Sequence, residues 1–253
     1  MSNLLRNSSG QGRLLSEQGR LAYLKAMGIQ AWLLKTADVA SQTDAVQSDV
    51  PQQLNASPSV IAPTISKIDV STLDWSALQQ QVSQCQLCEL HATRSQTVFG
   101  SGNQSAALLI IGAAPGADED RAGTPFAGRA GELLDAMLRA IQLNREQVYL
   151  VNVLKCQPPQ SRKPHTSELI CCDAYLQRQI SLIQPKIILA LGETAARHLL
   201  FTQGALDSLR GRTHRYNGIP LIASYHPESL LAIPADKGKA WQDLLQLKQL
   251  LNS

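Results

Sequence analysis

Downstream of residue 73 the chain alternates short aliphatic runs with longer stretches of helical period. Ala106–Ile111, Val148–Val153, Lys186–Ala190 and Pro220–Ser224 are short continuous apolar segments, the mark of strands buried on both faces. Between and around them, residues 74–84, 131–141, 167–183, a stretch from Gly192 to Leu200, and 237–250 repeat apolar positions three or four apart, which predicts helices. On the last of these, Trp241, Leu244 and Leu247 are expected to share one buried side. Aliphatic strands alternating with helices imply an α/β fold, a three-layer α/β/α sandwich around a central, mostly parallel sheet. Ligands on such sheets bind beyond the carboxyl ends of the strands. Four segments follow those ends (112–129, 152–160, 191–193 and 224–232), and their polar residues are expected to converge in one cleft.

Upstream the pattern changes. Residues 20–35, RLAYLKAMGIQAWLLK, carry a short amphipathic stretch with Leu21, Leu24, Met27 and Trp32 on one side and Gly28 interrupting it. A helix this short is marginal alone in water and needs a surface, either its own domain or the groove of a partner. The residues after it are rich in Ser, Thr, Gln, Asp, Ala and Pro and predict a flexible linker. The expected organisation is therefore a tail with a docking motif (1–35), a linker (36–72) and one domain (73–253).

Charge and composition refine this picture. The net charge is +3, but residues 1–35 hold five basic side chains and one acidic, while residues 36–70 hold four Asp and one Lys. The domain itself is near neutral, which permits a nucleic-acid partner without demanding one. With 44% hydrophobic but only 4% aromatic residues, the core must be aliphatic. No run of 18 apolar residues occurs, so no membrane span is expected. The first residues lack an apolar signal core, and a cytoplasmic protein is the expectation.

The chemistry-bearing residues fall into two groups. Cys85 and Cys88 have metal-ligand spacing, and Cys156, Cys171 and Cys172 follow. An odd number of cysteines argues against a disulfide framework. Four thiolates suit zinc or a [4Fe–4S] cluster, and spacing alone does not separate the two; inert buried thiols are the bland alternative. Cys171 and Cys172 differ by about 100° around a helix, so one of them is a bystander. A metal centre here would order Lys155–Lys163, KCQPPQSRK, whose three basic side chains suit a phosphate backbone. The second group lies in IIGAAPGADEDRAGTPFAGRAGELL, residues 110–134, a strand, a Gly/Pro-rich loop and a helix start.

Across about residues 75–250 the chain resembles the type 4 uracil-DNA glycosylases, which carry an iron–sulfur cluster. The resemblance rests on CQLC, FGSGN, APGADED, GTPFAGRAGELL, NVLKCQPP, the E-x3-C-x2-YL pattern at 168–176 and YHPESLL. It implies a [4Fe–4S] cluster on Cys85, Cys88, Cys156 and, by family spacing, Cys172. It also implies a base pocket of Gly112, Ala114, Pro115, Gly116, Phe126, Asn152 and His226. Phe126 would stack on a flipped uracil, Asn152 would read its edge, and His226 would stabilise charge growing on the leaving base.

Two departures stand out. The family has Gly-Glu-Ala-Pro-Gly where this chain has Gly112-Ala113-Ala114-Pro115-Gly116, so Ala113 replaces the expected acid. Asp118, Glu119 and Asp120 are poor substitutes by position. After the histidine, Ala232 stands where the family has arginine. The tail, through Leu24, Met27, Gly28, Ile29, Trp32 and Leu34, resembles the peptide by which the psi subunit of bacterial DNA polymerase III binds the chi subunit, and through it single-stranded-DNA-binding protein. Together these features imply a catalytically weakened or inactive glycosylase fold serving as a psi-like accessory subunit that contacts DNA. The alternative is an active type 4 enzyme that hydrolyses the N-glycosidic bond of deoxyuridine in DNA for base excision repair.

Overall fold

The computed structural model describes residues 69–252. The docking motif with Leu24, Met27, Gly28, Ile29, Trp32 and Leu34, and all but the end of the linker, lie outside the described residues. Four strands, β2 (Leu108–Gly112), β3 (Val148–Asn152), β4 (Ile187–Leu191) and β6 (Ile219–Ser224), form a parallel core. Two short strands flank it antiparallel, β1 (Ser101–Gly102) on β3 and β5 (Thr213–Tyr216) on β6, giving the order β1-β3-β2-β4-β6-β5.

Strand side chains alternate between two cores. Leu109, Ile111, Val151, Ile188 and Ala190 pack with Leu176 and Ile180 of α4 (Thr166–Ile183) and with Ala195 and Leu199 of α5 (Glu193–Leu200). Leu108, Ile110, Leu150 and Leu189 pack with Leu134 and Leu138 of α3 (Gly128–Ala140) and with Leu244 and Leu247 of α8 (Lys237–Leu251). This is the three-layer sandwich the sequence implies, with the strands apolar on both faces because helices cover both. One expectation fails: Trp241 is 41% exposed, while Ala240 and Asp243 take the inward positions beside Leu244 and Leu247. Asp243 is buried because it accepts from Ser224 Oγ at 2.7 Å and from Arg210 Nη2 at 3.0 Å.

A third cluster joins α1 (Trp75–Ser83) to α4 and to the chain leaving β3, through Leu78, Val82, Leu154 and Tyr175. Its cysteines are Cys85, Cys88, Cys156 and Cys172. Among the described residues, no helix is long and apolar enough to cross a membrane.

Candidate active site

The strand ends build the cleft. Gly112 and Asn152 are register partners at the last rung of β2 and β3. The chain beyond β3 stays alongside the Gly/Pro loop, with Val153 N donating to Gly112 O at 2.9 Å and Leu154 N to Ala113 O at 3.0 Å. Gly192 N donates to Ser224 O at 2.8 Å and fixes the two other strand ends. The resulting cleft, of about 720 Å³, is lined by parts of 113–119, 126–130, 158–164, 191–194 and 226–231. Three of the four segments expected to converge bring polar side chains to this cleft, while 152–160 contributes only Pro158.

Phe126 adopts φ 54°, a left-handed conformation unusual for an aromatic residue and a form of strain that persists only where the surroundings impose it. The constraint is visible on both sides of the residue. Its N–H donates to Glu119 Oε1 at 2.6 Å, and its carbonyl accepts from Arg145 Nη2 at 2.6 Å. A Cβ at Gly131 would stand 1.8 Å from that carbonyl, so the first turn of α3 admits only glycine at this position. The Phe126 ring stacks toward His226, centroids 5.6 Å apart and planes 29° apart.

His226 caps α7 (Pro227–Ala232). Its Nδ1 accepts from Glu228 N at 3.3 Å, which leaves Nε2 to carry the proton. Burial pulls its pKa down to about 4, so the ring is a neutral donor near neutral pH. Asn152 is 1% exposed and lies behind the cleft lining, beside Gly112 and the edge of Phe126.

Glu119, set aside in the sequence reading, belongs to this site. It lies on α2 (Ala117–Ala122) and lines the cleft. Its Oε2 accepts from Gly116 N at 2.6 Å, and its Oε1 from Phe126 N and, at 3.0 Å, from Asn152 Nδ2. Burial raises its pKa, against the pull of these three N–H bonds. Asp118 instead pairs with Arg121 at the surface, and Asp120 accepts from Ser95 N at 2.8 Å. Ala113 is half-buried at the cleft, with only a methyl group to present. Arg145 also escaped sequence reading, since nothing local ties it to a residue 19 positions earlier.

The basic segment after β3 departs from its expectation. Lys155 is 1% exposed and donates inward, to Asn152 O and Gln179 Oε1, both at 2.7 Å. Arg162 is held by both oxygens of Glu168. Both therefore serve internal contacts, and Lys163 is the exposed cation of the three at the cleft. Lys239, near the missing arginine, is engaged by Asp236 at 2.9 Å.

Next to this cleft, Cys85, Cys88, Cys156, Cys171 and Cys172 line one small cavity with Arg94, Lys155 and Tyr175. Arg94 Nη1 donates to Cys156 Sγ at 3.0 Å. The Tyr175 hydroxyl is buried without a hydrogen-bond partner among the described residues. Burial pushes the Cys172 thiol up to about 12 and Cys88 up to about 11, and a metal bound here would have to displace those protons. Among the described residues, no group of three or more His, Cys, Asp or Glu side chains that could hold a metal ion is found. Both Cys171 and Cys172 face the cavity, Cys172 the more deeply buried.

The model of the uracil DNA glycosylase superfamily matches residues 99–245. The type-4 uracil-DNA glycosylase of Archaeoglobus fulgidus is 37% identical over 181 residues, covering 68% of this chain and 90% of the relative. That of Thermotoga maritima is 39% identical over 158 residues, covering 61% and 81%. The type-5 uracil-DNA glycosylase of Pyrobaculum aerophilum is more distant, 30% identical over 146 residues, covering 51% and 64%. With strands, cleft and relatives in agreement, the chain belongs to the uracil DNA glycosylase superfamily and, within it, to the type-4 uracil-DNA glycosylases.

Proposed function

We propose that this protein is a working uracil-DNA glycosylase, which removes uracil from DNA by hydrolysing the bond between its N1 and the sugar C1′. The observation that carries this reading is the assembled pocket. Phe126 is held in a strained conformation beside His226, and the buried Oδ1 of Asn152 has no hydrogen-bond partner among the described residues. Such an acceptor is costly to bury unless a ligand supplies the donor. Uracil offers one at N3–H.

In this reading the N1–C1′ bond breaks with its electron pair passing into the uracil ring, and the charge gathers on N1 and O2. The Nε2–H of neutral His226 donates to that developing oxyanion, a contribution that strengthens as the bond breaks. Water then adds to the cationic C1′, and the proton it gives up passes through solvent to N1 of the departing uracil anion. Both Glu119 oxygens are occupied by N–H donors, so this carboxylate organises the pocket rather than taking that proton. Catalysis therefore rests on stabilising the leaving base, and Ala113 slows the step without removing it. The type-4 relatives support the active reading over that of a silent accessory subunit.

Cys85, Cys88, Cys156 and Cys172 would hold a [4Fe–4S] cluster. Such a cluster would cross-link the exits of α1 and β3 to α4 and place negative charge beside the half-buried Arg94 and the buried Lys155. The tail is a separate part of the proposal and rests on sequence alone. If residues 20–35 dock the chi subunit, capture by chi is lost on changing Trp32 to Ala and persists without the 73–253 domain. Uracil release from a uracil-containing single strand, by protein loaded with its cluster and with a His226 variant as the control, tests the enzyme. Absence of release from cluster-loaded protein refutes it.

A further inference from the structure

His226 is held at its root as well as at its ring. A Cβ on Gly192 would stand 3.2 Å from His226 Cβ, so the end of β4 packs directly against it. Two residues earlier, at the end of β6, Ser224 is fully buried and bonded through both of its oxygens. Its carbonyl accepts from Gly192 N at 2.8 Å, and its Oγ donates to Asp243 Oδ2 at 2.7 Å.

Asp243 lies on α8 and has no exposed surface. Arg210 compensates its charge, donating through Nε at 3.1 Å and Nη2 at 3.0 Å. Arg210 closes α6 (Leu206–Leu209) and also donates from Nη2 to the carbonyl of Lys239. Its guanidinium carbon lies 5.1 Å from the ring centroid of Tyr225, and Lys239 Nζ lies 5.7 Å from the same centroid. The Tyr225 hydroxyl donates to Asp207. Charged side chains of α6, its cap and α8 thus grip both residues that precede His226.

An ion pair buried this deeply is a poor source of stability. Desolvating two charges costs about as much as their attraction gains, and apolar side chains of similar volume do as well or better. What the pair supplies is direction: a carboxylate shared by Ser224 and Arg210 fixes the geometry of both, where aliphatic packing tolerates small shifts. Such precision matters two residues on. A donor stabilises an oxyanion only where it meets the atom on which charge grows, and a displacement of about 1 Å can cost about 10²-fold in rate. The ring of His226 has only a long bond of its own, 3.3 Å from Glu228 N, so its place depends on the chain that carries it.

We infer that Asp243 is a positioning residue for His226: through Ser224 Oγ and Arg210 it fixes the end of β6 from which the imidazole reaches the leaving base. The inference rests on the reading of His226 as the donor to that base. Asp243 itself does not line the cleft and takes no part in the chemistry.

Ser224→Ala tests it with the smallest change. The substitution removes one oxygen and leaves the Asp243–Arg210 pair in place. Uracil release from a uracil-containing single strand is followed for cluster-loaded protein, with Ser224→Ala alone and combined with His226→Ala. We expect Ser224→Ala to lower kcat by roughly tenfold with KM little changed, since the charge that His226 meets develops only in the transition state. In the His226→Ala background the same change should cost less than about twofold, because the group being positioned is gone. Asp243→Asn, where it folds, should show the same non-additivity. Equal losses with and without His226 would mean general loosening, and an unchanged kcat would mean that the bond is idle; either overturns the inference. So would loss of the fold in Ser224→Ala, which would assign the bond to stability alone. Failure of the unaltered protein to release uracil, or an undiminished rate in His226→Ala, overturns instead the functional reading beneath it.

Discussion

Lys155 Nζ donates to the main-chain carbonyl of Asn152 at 2.7 Å, tying the end of β3 to a side chain that borders the cysteine cavity. Its second bond, to Gln179 Oε1, continues through Gln179 Nε2 to Phe99 O at 2.9 Å. Desolvation pushes this buried amine down to about 7, and the Cys172 and Cys156 sulfurs oppose that shift. One buried side chain thus connects the two halves of the site.

Replacing Lys155 with methionine keeps all but the last atom's length of the side chain and removes the ammonium. Two buried oxygens, on Asn152 and Gln179, then lack their donor. Leaving such groups unpaired costs about 1–3 kcal/mol, so the unfolding free energy from urea titration should fall by that amount and the midpoint should move lower with it. Uracil release should fall with it, because the main chain carrying Asn152 is no longer fixed. An unchanged midpoint together with an unchanged rate would show that Lys155 is a bystander.

Gly112→Ala separates fold from site. The backbone at this position is not left-handed, so alanine is conformationally acceptable, yet its Cβ would stand 2.2 Å from Asn152 Oδ1 and 2.9 Å from Phe126 Cζ. The expected outcome is near-normal secondary structure by circular dichroism with uracil binding largely lost. Full activity in this variant would mean that Asn152 does not sit where the base is read.

The parallel core was legible because each of its strands is a short aliphatic run covered on both faces, and that signal is local. The edge strands were not: β1 has two residues, and β5, THRY, has no aliphatic side chain, since only one of its faces is covered. The placement of Phe126, Asn152 and His226 followed from the strand ends and from family motifs. Glu119 was missed because its partner Asn152 lies 33 residues away, and an Asp-Glu-Asp run at a helix start reads as a solvated first turn. Lys155 was misread for the converse reason. A lysine between two stretches of loop looks exposed until the thiol cavity and Gln179 are seen to surround it. Trp241 was misassigned because a helical stripe one position off leaves the same spacing, and the buried Asp243 that claims the inward side pairs with residues on other elements.

Ala113→Glu places a carboxylate at the cleft where the chain now offers a methyl group. General-base assistance contributes roughly 10²–10⁴-fold where geometry is good. We expect uracil release to rise by at least about tenfold, the lower figure allowing for imperfect placement, with the affinity for uracil-containing DNA little changed. A rate equal to or below that of the unaltered chain would indicate that the attacking water is already placed by the pocket.

The last prediction concerns protons on His226. Its Nδ1 accepts from the Glu228 main chain, and its ring is shielded beside Phe126. The nearest carboxylate, that of Glu228, is 4.0 Å from Nδ1 and largely exposed, so it does little to offset burial. With a folded pKa near 4 against an ordinary 6.5, the unfolded chain binds this proton more readily than the folded one. The stability associated with neutral His226 is therefore complete above about pH 6.5 and declines as the pH falls from there toward 4. Catalysis behaves differently: the reacting donor is the neutral Nε2–H, so uracil release should show no His226 limb between about pH 5 and 8. His226→Gln, which retains an N–H donor, should keep part of the rate that His226→Ala loses, a loss of about 10²–10³-fold for removal of one oxyanion donor. A rate limb near pH 6.5 that disappears in His226→Gln would mean that the imidazolium, rather than the neutral ring, meets the leaving base.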